Sequence, residues 1–587
     1  DDESDFIIDR KLKAVIGESG KVDEAAAFEE FSNKTFLYQG YNDTISAIEC
    51  DEEPPREMDE CALATVLKVS NLLACSILDE VQVMRKTVVD GSNTSGFQRT
   101  ALVGRKGYLK TEHGKVGIPT ISIEEDSAKI VKRDTTTNSI TYNLSRLGIP
   151  LIEIGTDPDI TSPDMAKDVA KRLGMILRST GSVKRGLGTI RQDLNVSISK
   201  GSRIEIKGAQ DLKMIPEWID NEITRQEKLI SLKKWLNDND AKVNNSIIDL
   251  TEIFKKTDAK LIKNAIKQDG SVMGIKLEKF GGILGHEIQP GRRFGTELSD
   301  YAKQSSGVKG LIHSDESQDK YGIKPEEISQ VRKMLGCRKN DGFVMIADSS
   351  EKVKRALEGV IFRAELALKR VPKEVRRANP DATTSFMRPM PGDARLYPET
   401  DCVPILTGPL LNHIELPELI EDKAKRYQKT YSLSVDLSDQ MAKFDFSNYT
   451  NINSFDDATQ VFDRVEPTFL AQAFTSIPKE VKKRFNLELN NSEDLILVLE
   501  KLNNDEITRE ALMEILPLVI EGKPVDYAEY KPVDISKVRT KIRQLISKNK
   551  DAPFGALMGM AMKEFRGKVD GKKISDIIKE EFAKGEK

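Results

Sequence analysis

Residues 189–198 read TIRQDLNVSI. Successive side chains of an extended chain point to opposite faces. Arg191, Asp193, Asn195 and Ser197 therefore share one face. Ile190, Leu194, Val196 and Ile198 share the other, with Gln192 as the misfit. Three more segments add groups of the same kind. In IPLIEIG (149–155) Glu153 is the sole charge and shares a face with Ile149 and Leu151. A carboxylate there is costly unless it meets a cation or a firm hydrogen bond. In SRIEIKG (202–208) Arg203, Glu205 and Lys207 line one face against Ile204 and Ile206. ISIEEDSAK (121–129) adds Glu124, Glu125 and Asp126. If these stretches are neighbours, they make a tray of carboxylates with basic groups at its rim. Hard cations such as Mg2+ take oxygen ligands and keep substrate phosphates as partners. Lys and Arg neutralise phosphoryl oxygens as charge builds. The tray suits a nucleotide–Mg2+ site. A self-satisfied ion-pair network on a sheet face gives the same pattern, and the residue types leave both open.

Other chemistry is thinly represented. GSVKRGLGT (181–189) has G-x-x-x-x-G but no following K-[ST], so it is not a Walker A loop. It reads as a turn, with Lys184 and Arg185 available to a phosphate. The glycines of FGGILGHEIQPGRRFGTE (280–297) read as tight hairpin turns. No Ser/His/Asp or Cys/His arrangement stands out. The five cysteines form no C-x-x-C pair, which argues against a disulfide framework and a complete zinc site.

The elements that must position the tray follow from periodicity. With 587 residues, about three to five domains are expected. Residues 1–250 look mixed α/β. Helices are expected at 58–79 and at 163–180, where Ser162-Pro163-Asp164 makes a good N-terminus. Strands are expected at 81–89, 149–154, 189–198 and 203–207, and one long amphipathic helix at 211–236. Residues 246–372 read as a compact α+β insert, with helices at 325–335 and 351–370. Residues 373–417 return to loops and short strands. From 418 nearly everything is helical. Ile535, Val538, Ile542 and Leu545 recur at helical spacing, as do Ile574, Ile577, Ile578 and Phe582.

Charge is uneven. Residues 1–60 hold 18 Asp and Glu against 6 Lys and Arg, and residues 531–587 hold 15 Lys and Arg against 8 Asp and Glu. The basic end is compatible with a nucleic-acid contact or with a solvated helical surface. Composition, 39% hydrophobic and 31% charged, is that of a globular chain. No apolar run approaches the ~18–20 residues of a membrane span. The opening DDESDFIIDR is acidic, lacks an initiator Met and resembles no secretory leader. The expectation is a cytoplasmic protein whose natural N-terminus lies upstream of Asp1.

Four long motifs carry a resemblance. MRKTVVDGSNTSGFQRT (84–100), SRLGIPLIEIGTDPDITSP (145–163), GLGTIRQDLNVSI (186–198) and RIEIKGAQDL (203–212) resemble the catalytic subunit of tRNA-dependent amidotransferases, the glutamyl/aspartyl-tRNA amidotransferase B/E family. Residues 246–372 resemble the small (GAD) domain of bacterial-type aspartyl-tRNA synthetases. FMRPMPGDARLYPETDCVPI (386–405) is similar to the family's return segment. GALMGMAMKEFRGKVDGKKISDIIKEEF (555–582) is similar to its tail domain. The insert points to the archaeal E-type branch. The resemblance implies an α+β multidomain fold: a mixed α/β cradle over 1–245, the synthetase-like insert over 246–372, a return segment over 373–417, a helical domain over 418–530 and a YqeY-like tail over 531–587.

The resemblance also implies an enzyme. ATP, with Mg2+, phosphorylates the γ-carboxylate of glutamate esterified to tRNA(Gln). Ammonia from an asparaginase-like partner, the D-type chain of a heterotetramer of two D and two E chains, then displaces the phosphate. Both steps need positioning and charge stabilisation more than a protein nucleophile. By resemblance Glu125 (or its neighbour Glu124), Glu153 and Asp193 are the Mg2+-side and catalytic carboxylates, with Lys207 beside them. Asn195, Glu205 and Lys207 support metal, nucleotide or aminoacyl group. Arg85 and Lys86, with Asn93 and Gln98, belong to a substrate loop. Arg388 and Arg395 hold phosphate or carboxylate. Lys537, Arg539, Lys541, Arg543, Lys548, Lys563, Arg566 and Lys568 would meet tRNA phosphates. The family's opening G-x-E-I-H strand, whose Glu and His join the same metal site, has no counterpart from Asp1 onward. A non-catalytic tRNA-binding subunit is the alternative.

Overall fold

The computed structural model describes residues 3–16, 20–31, 34–134, 137–186, 188–391, 396–549, 552–565 and 567–585. Of the residues singled out above, Arg395 and Arg566 lie outside them. The chain divides into two compact units, Asp1–Pro417 and Glu418–Lys587. The first is mixed α/β and the second is helical.

In the first 210 residues the elements that matter run β1 (Phe6–Arg10), β2 (Thr35–Gly40), α1 (Glu60–Leu72), β3 (Val83–Thr87), β4 (Phe97–Thr111), β5 (Gly114–Glu125), β6 (Lys129–Asp134), β7 (Ser139–Asn143), β8 (Pro150–Ile154), α2 (Pro163–Ser179), β9 (Leu194–Val196) and β10 (Ile204–Lys207). The N-terminal sheet has the order β1-β2-β7-β6 and buries Phe36, Tyr38, Ile140 and Tyr142. The α2 start agrees with the sequence: Ser162 accepts from the Met165 N–H at 3.2 Å, and Pro163 is the first helical residue.

Two expectations need correction. The helix expected at 58–79 stops at Leu72, because Ala74 takes a left-handed φ of 53° and turns the chain into a short strand at Ser76–Ile77. The strand expected at 189–198 is only Leu194–Val196.

The long β4–β5 hairpin carries the site and was not anticipated. Its glycines interrupt the apolar alternation, and the packing explains them. The end of α1 lies against β4 so closely that a Cβ at Gly107 would stand 2.3 Å from Cys75 Sγ and 2.5 Å from the Leu73 carbonyl. Gly107→Ala should therefore cost about 1–3 kcal/mol through forced displacement of that turn, read as a lower denaturant midpoint with unchanged slope.

The rest of the first unit adds α3 (Ile215–Asp238), β11 (Ser271–Glu278), α4 (Phe294–Ser306), β12 (Gly342–Asp348), α5 (Ser350–Lys369), β13 (Glu374–Ala378), β14 (Thr384–Pro389) and β15 (Leu396–Pro398). β11 and β12 pair antiparallel. Their core of Ile275, Leu277, Phe294, Leu298, Val344 and Leu357 continues into Leu229, Leu232 and Leu236 of α3. The segment expected as an insert thus shares its core with the helix before it. β13 then joins the sheet β9-β10-β13-β14, running parallel to β10.

At this junction three arginines and three glutamates are withdrawn from water. Glu222, Arg225, Glu297, Arg363, Glu374 and Arg376 are each at most 1% exposed. Glu297 accepts from Arg225 Nη1 and Arg363 Nη2, both at 2.8 Å, and from Arg376 Nη2 at 3.3 Å. Glu222 accepts from Arg225 at 2.9 and 3.0 Å. Glu374 accepts from Arg376 and from the Tyr301 hydroxyl. The charges balance, as burial on this scale demands.

The second unit ends in three helices, α6 (Ile535–Lys548), α7 (Phe554–Phe565) and α8 (Gly571–Gly585). They close on Val538, Ile542, Ala561, Phe565, Ile574, Ile577 and Ile578. Among the described residues no helix is long and apolar enough to cross a membrane.

Candidate active site

The site is built on the sheet β8-β5-β4-β3-β15. Register decides which side chains meet. β8 sets Leu151 opposite Glu124 and Glu153 opposite Ser122. β4 sets Thr100 opposite Glu124, and β3 sets Lys86 opposite Gln98 and Arg85 opposite Arg99. With side chains alternating along each strand, one face carries Lys86, Gln98, Thr100, Glu124 and Glu153. The other carries Arg85, Arg99 and Glu125.

On the first face Lys86 Nζ bonds Glu124 Oε1, and Thr100 Oγ1 donates to the same oxygen at 3.0 Å. Gln98 Nε2 reaches the second oxygen at 3.4 Å. Glu124 and Glu153 lie within hydrogen-bonding reach of each other. Burial pushes Glu124 up, but Lys86 and the surrounding donors hold it below its usual value. Glu153 is pushed up to about 7, by desolvation first and by the Glu124 charge second. Glu153 is open to water, which softens both contributions.

The sign follows. Between its ordinary value of 4.5 and about 7, Glu153 binds more protons in the folded than in the unfolded chain. Stability from this group therefore falls as pH rises through that window. Glu153→Gln should flatten the decline of the melting temperature between about pH 5 and 7, a result thermal denaturation across that range checks.

Glu125 does not join the pair. It lies on the opposite face, 3.5 Å from Arg99 Nη1. There Glu399 accepts from Arg85 at 2.6 and 2.9 Å and from Arg99 at 3.0 Å. Burial works against Glu399, yet these guanidiniums hold its carboxyl down at about 2. The Arg85 guanidinium also lies 5.6 Å from the Phe97 ring centre and 6.0 Å from that of Tyr397. This face is an ion-pair and aromatic scaffold that locks β15 onto β3. Glu399 and Arg99 were not singled out from sequence; their only signal is alternation along a hairpin whose register was unknown.

Asp193 also stays apart. Lys207 Nζ bonds Asp193 at 2.7 Å and Glu205 at 2.6 Å, while its charge acts on Glu153. The sheet holding Lys207 thus lies beside the Glu124–Glu153 pair. Asn195, opposite Glu205 in the register, is solvent-exposed. Arg191 pairs at 3.1 Å with Asp126, which also meets Arg146 at 3.2 Å. Asn93 is buried. Arg388 Nη1 lies 3.7 Å from Asp90, and its Nε is buried without a partner. Arg377, missed from sequence, lies opposite Lys207 in the register.

Among the described residues no three of His, Cys, Asp and Glu converge tightly enough to hold a metal ion by themselves. Two carboxyls do converge, those of Glu124 and Glu153. Mg2+ is commonly held by one or two carboxylates with substrate phosphates and water completing its shell. Glu124 and Glu153 fit that requirement.

In the second unit, Arg539 bonds Glu580 at 2.6 Å and Glu581 at 3.0 Å. Arg543 bonds Glu581 at 2.6 Å, and Lys541 lies 3.0 Å from Glu564. These three basic groups brace the tail against itself. Lys537, Lys548, Lys563 and Lys568 have no ion pair among the described residues.

Comparison with known proteins bears on the whole chain. Residues 30–410 match the family described as GatB/GatE catalytic domain, a span that contains every residue of the Lys86–Glu124–Glu153–Lys207 cluster. The chain is 42% identical to the E-type subunit of the glutamyl-tRNA(Gln) amidotransferase of Methanocaldococcus jannaschii, over 99% of this chain and 94% of that protein. It is 42% identical to the protein of the same name from Archaeoglobus fulgidus, over 98% and 93%. It is 40% identical to that of Methanosarcina barkeri, over 99% and 93%. The chain belongs to the GatB/GatE family.

Proposed function

We propose that this chain is the catalytic subunit of a tRNA-dependent amidotransferase. It transfers the γ-phosphoryl group of ATP to the side-chain carboxylate of glutamate carried on tRNA(Gln), and ammonia then replaces the phosphate. The observation that carries this reading is the pair Glu124–Glu153, braced by Lys86 on one side and facing Lys207 on the other. The names of the similar proteins support the substrate assignment. Bound between the two carboxylates, Mg2+ would supply positive charge to the phosphoryl oxygens. Lys86 keeps Glu124 ionised. Thr100 and Gln98 fix the direction of its lone pairs. Lys207, held by Asp193 and Glu205, places a fixed cation at the edge of the pocket. None of these groups is placed as a covalent nucleophile, and phosphoryl transfer to a carboxylate asks for none.

The ammonia source in this reading is an asparaginase-like partner in a heterotetramer of two chains of each kind, acting in the cytoplasm. Residues 246–372 are the synthetase-like insert of the cradle. The tail holds tRNA phosphates through Lys537, Lys548, Lys563 and Lys568, while Arg539, Lys541 and Arg543 keep its helices together.

The test incubates the assembled complex with γ-labelled ATP, Glu-tRNA(Gln) and an ammonia donor. ATP cleavage should require the charged tRNA, and Gln-tRNA(Gln) should accumulate. Cleavage indifferent to charged tRNA would sink the assignment. Replacing the four unpaired tail lysines by Ala should raise KM for the tRNA several-fold, reduce its salt dependence and leave kcat within about twofold.

A further inference from the structure

The sheet β9-β10-β13-β14 has two unlike faces. One, with Ile204, Ile206, Glu374 and Arg376, is fully buried against the six-residue charge network. The other carries Lys207. Parallel pairing sets Arg377 opposite Lys207, and β14 returns with Ser385 opposite Arg377 and Arg388 on the level of Val375. Paired residues on neighbouring strands point to the same side, their backbones about 4.8 Å apart. Lys207, Arg377, Ser385 and Arg388 therefore share the second face, which is exposed at Arg377 and covered at Val375.

Their charges are not equally committed. Lys207 is held by two carboxylates. Among the described residues Arg388 keeps one long ion pair, to Asp90, and a buried Nε with no partner. Arg377 is exposed, and among the described residues its side chain makes no ion pair or hydrogen bond. Arg388 meets Asp90, four residues beyond Lys86, and Arg191, two residues before the Lys207 partner Asp193, pairs with Asp126, two residues beyond Glu124, so this wall adjoins the carboxylate pair. A metal-bound polyphosphate needs that division: carboxylates for the cation, fork-shaped donors for the phosphoryl oxygens.

We propose that Arg377, seconded by Arg388, grips the phosphoryl group in transit. Arg377 donates to its non-bridging oxygens while the glutamate carboxylate forms a bond to the γ-phosphorus. The bond between that phosphorus and the β–γ bridging oxygen breaks, and ADP leaves with the electron pair. This rests on the kinase reading given under the proposed function.

Arg377→Gln, Arg377→Lys and Arg377→Ala in the assembled complex test it. Arg377→Gln should lower kcat for tRNA-dependent ATP cleavage by about 10²–10³ with KM for Glu-tRNA(Gln) unchanged. Lys should recover only part of the rate, since it offers a point charge rather than a planar fork. Millimolar guanidinium chloride should restore part of the Ala variant's rate, which a structural role would not allow. A raised KM for the tRNA at unchanged kcat would make Arg377 a contact to the tRNA backbone and overturn the proposal. An unchanged rate, or a loss that guanidinium does not relieve, would overturn it as well. Should the wild type show no tRNA-dependent cleavage, the kinase reading itself fails. Binding of a non-hydrolysable Mg–ATP analogue then tests the grip alone: at least tenfold weaker binding to Arg377→Gln supports it, and equal binding ends it.

Discussion

Glu153→Gln in the assembled complex lowers the rate of tRNA-dependent ATP cleavage by about 10²–10³ while the folded chain melts no lower than the wild type at pH 7.5. The two halves of this expectation have one origin. Among the described residues no arginine pairs with Glu153. It is open to water, lies within hydrogen-bonding reach of Glu124, and is pushed up to about 7 by desolvation first and by that neighbour's charge second. In the folded protein it is an unfavourable charge, so neutralising it removes a repulsion. Gln can still donate to Glu124, so the local geometry survives. What it cannot do is contribute the second negative charge that a divalent cation on the pair requires. The loss should therefore be partly recovered by raising Mg2+, with the half-saturating concentration shifted upward.

Glu124→Gln behaves differently. It also strands the Lys86 ammonium and should cost stability as well as activity. A Glu153→Gln complex with full activity at low Mg2+ would remove the carboxylate pair from the chemistry. Groups that cost a fold stability and have no structural partner are where function is expected to sit.

Alternation alone brought out Glu153, Asp193, Glu205 and Lys207 as an unusual set, because a charge on an apolar strand is conspicuous whatever its partners. It could not choose between Glu124 and Glu125. Adjacent residues on a strand face opposite ways, and a shift of one residue exchanges them. The register of β8 and β4 makes the choice, placing Glu124 with Glu153 and Glu125 with Arg99. The β4–β5 hairpin was hidden because Gly104 and Gly107 answer to the end of α1 rather than to the strand pattern. Arg377 was hidden for a related reason: as one of two adjacent arginines it looks like its neighbour, yet Arg376 is wholly buried and Arg377 is exposed. Helix ends marked by local chemistry, such as Ser162-Pro163, were legible because their cause lies within four residues.

The buried network left no trace in the sequence, and its removal should have the largest effect on stability. Glu297→Ala leaves Arg225, Arg363 and Arg376 buried with only Glu222 and Glu374 to balance them. Taking one partner from a buried ion cluster typically costs about 3–5 kcal/mol, because the abandoned charge cannot reach water. Removing an exposed pair such as Arg464–Asp505 should change stability by less than about 0.5 kcal/mol. Glu297→Gln, which keeps the shape and loses the charge, should fall close to the Ala variant if charge balance is what matters. A cost below about 1 kcal/mol for Gln would mean the cluster is held by packing alone.

The pH dependence points the same way. Burial pushes the Glu297 carboxyl up, but Arg225, Arg376 and Arg363 together hold it far below the usual carboxylate range. Its stabilising contribution is complete above its ordinary value of 4.5 and is lost only as pH falls through the depressed folded value. The variant should therefore lose more relative to wild type at pH 7 than at pH 3. The consequence reaches the candidate site through geometry: Arg225 stands on α3, Glu297 on α4, Arg363 on α5 and Arg376 on β13. β13 is the strand that sets Arg377 beside Lys207. Any Glu297 variant that still folds should show reduced ATP cleavage per folded molecule, because the wall facing Glu124 and Glu153 has lost the support behind it.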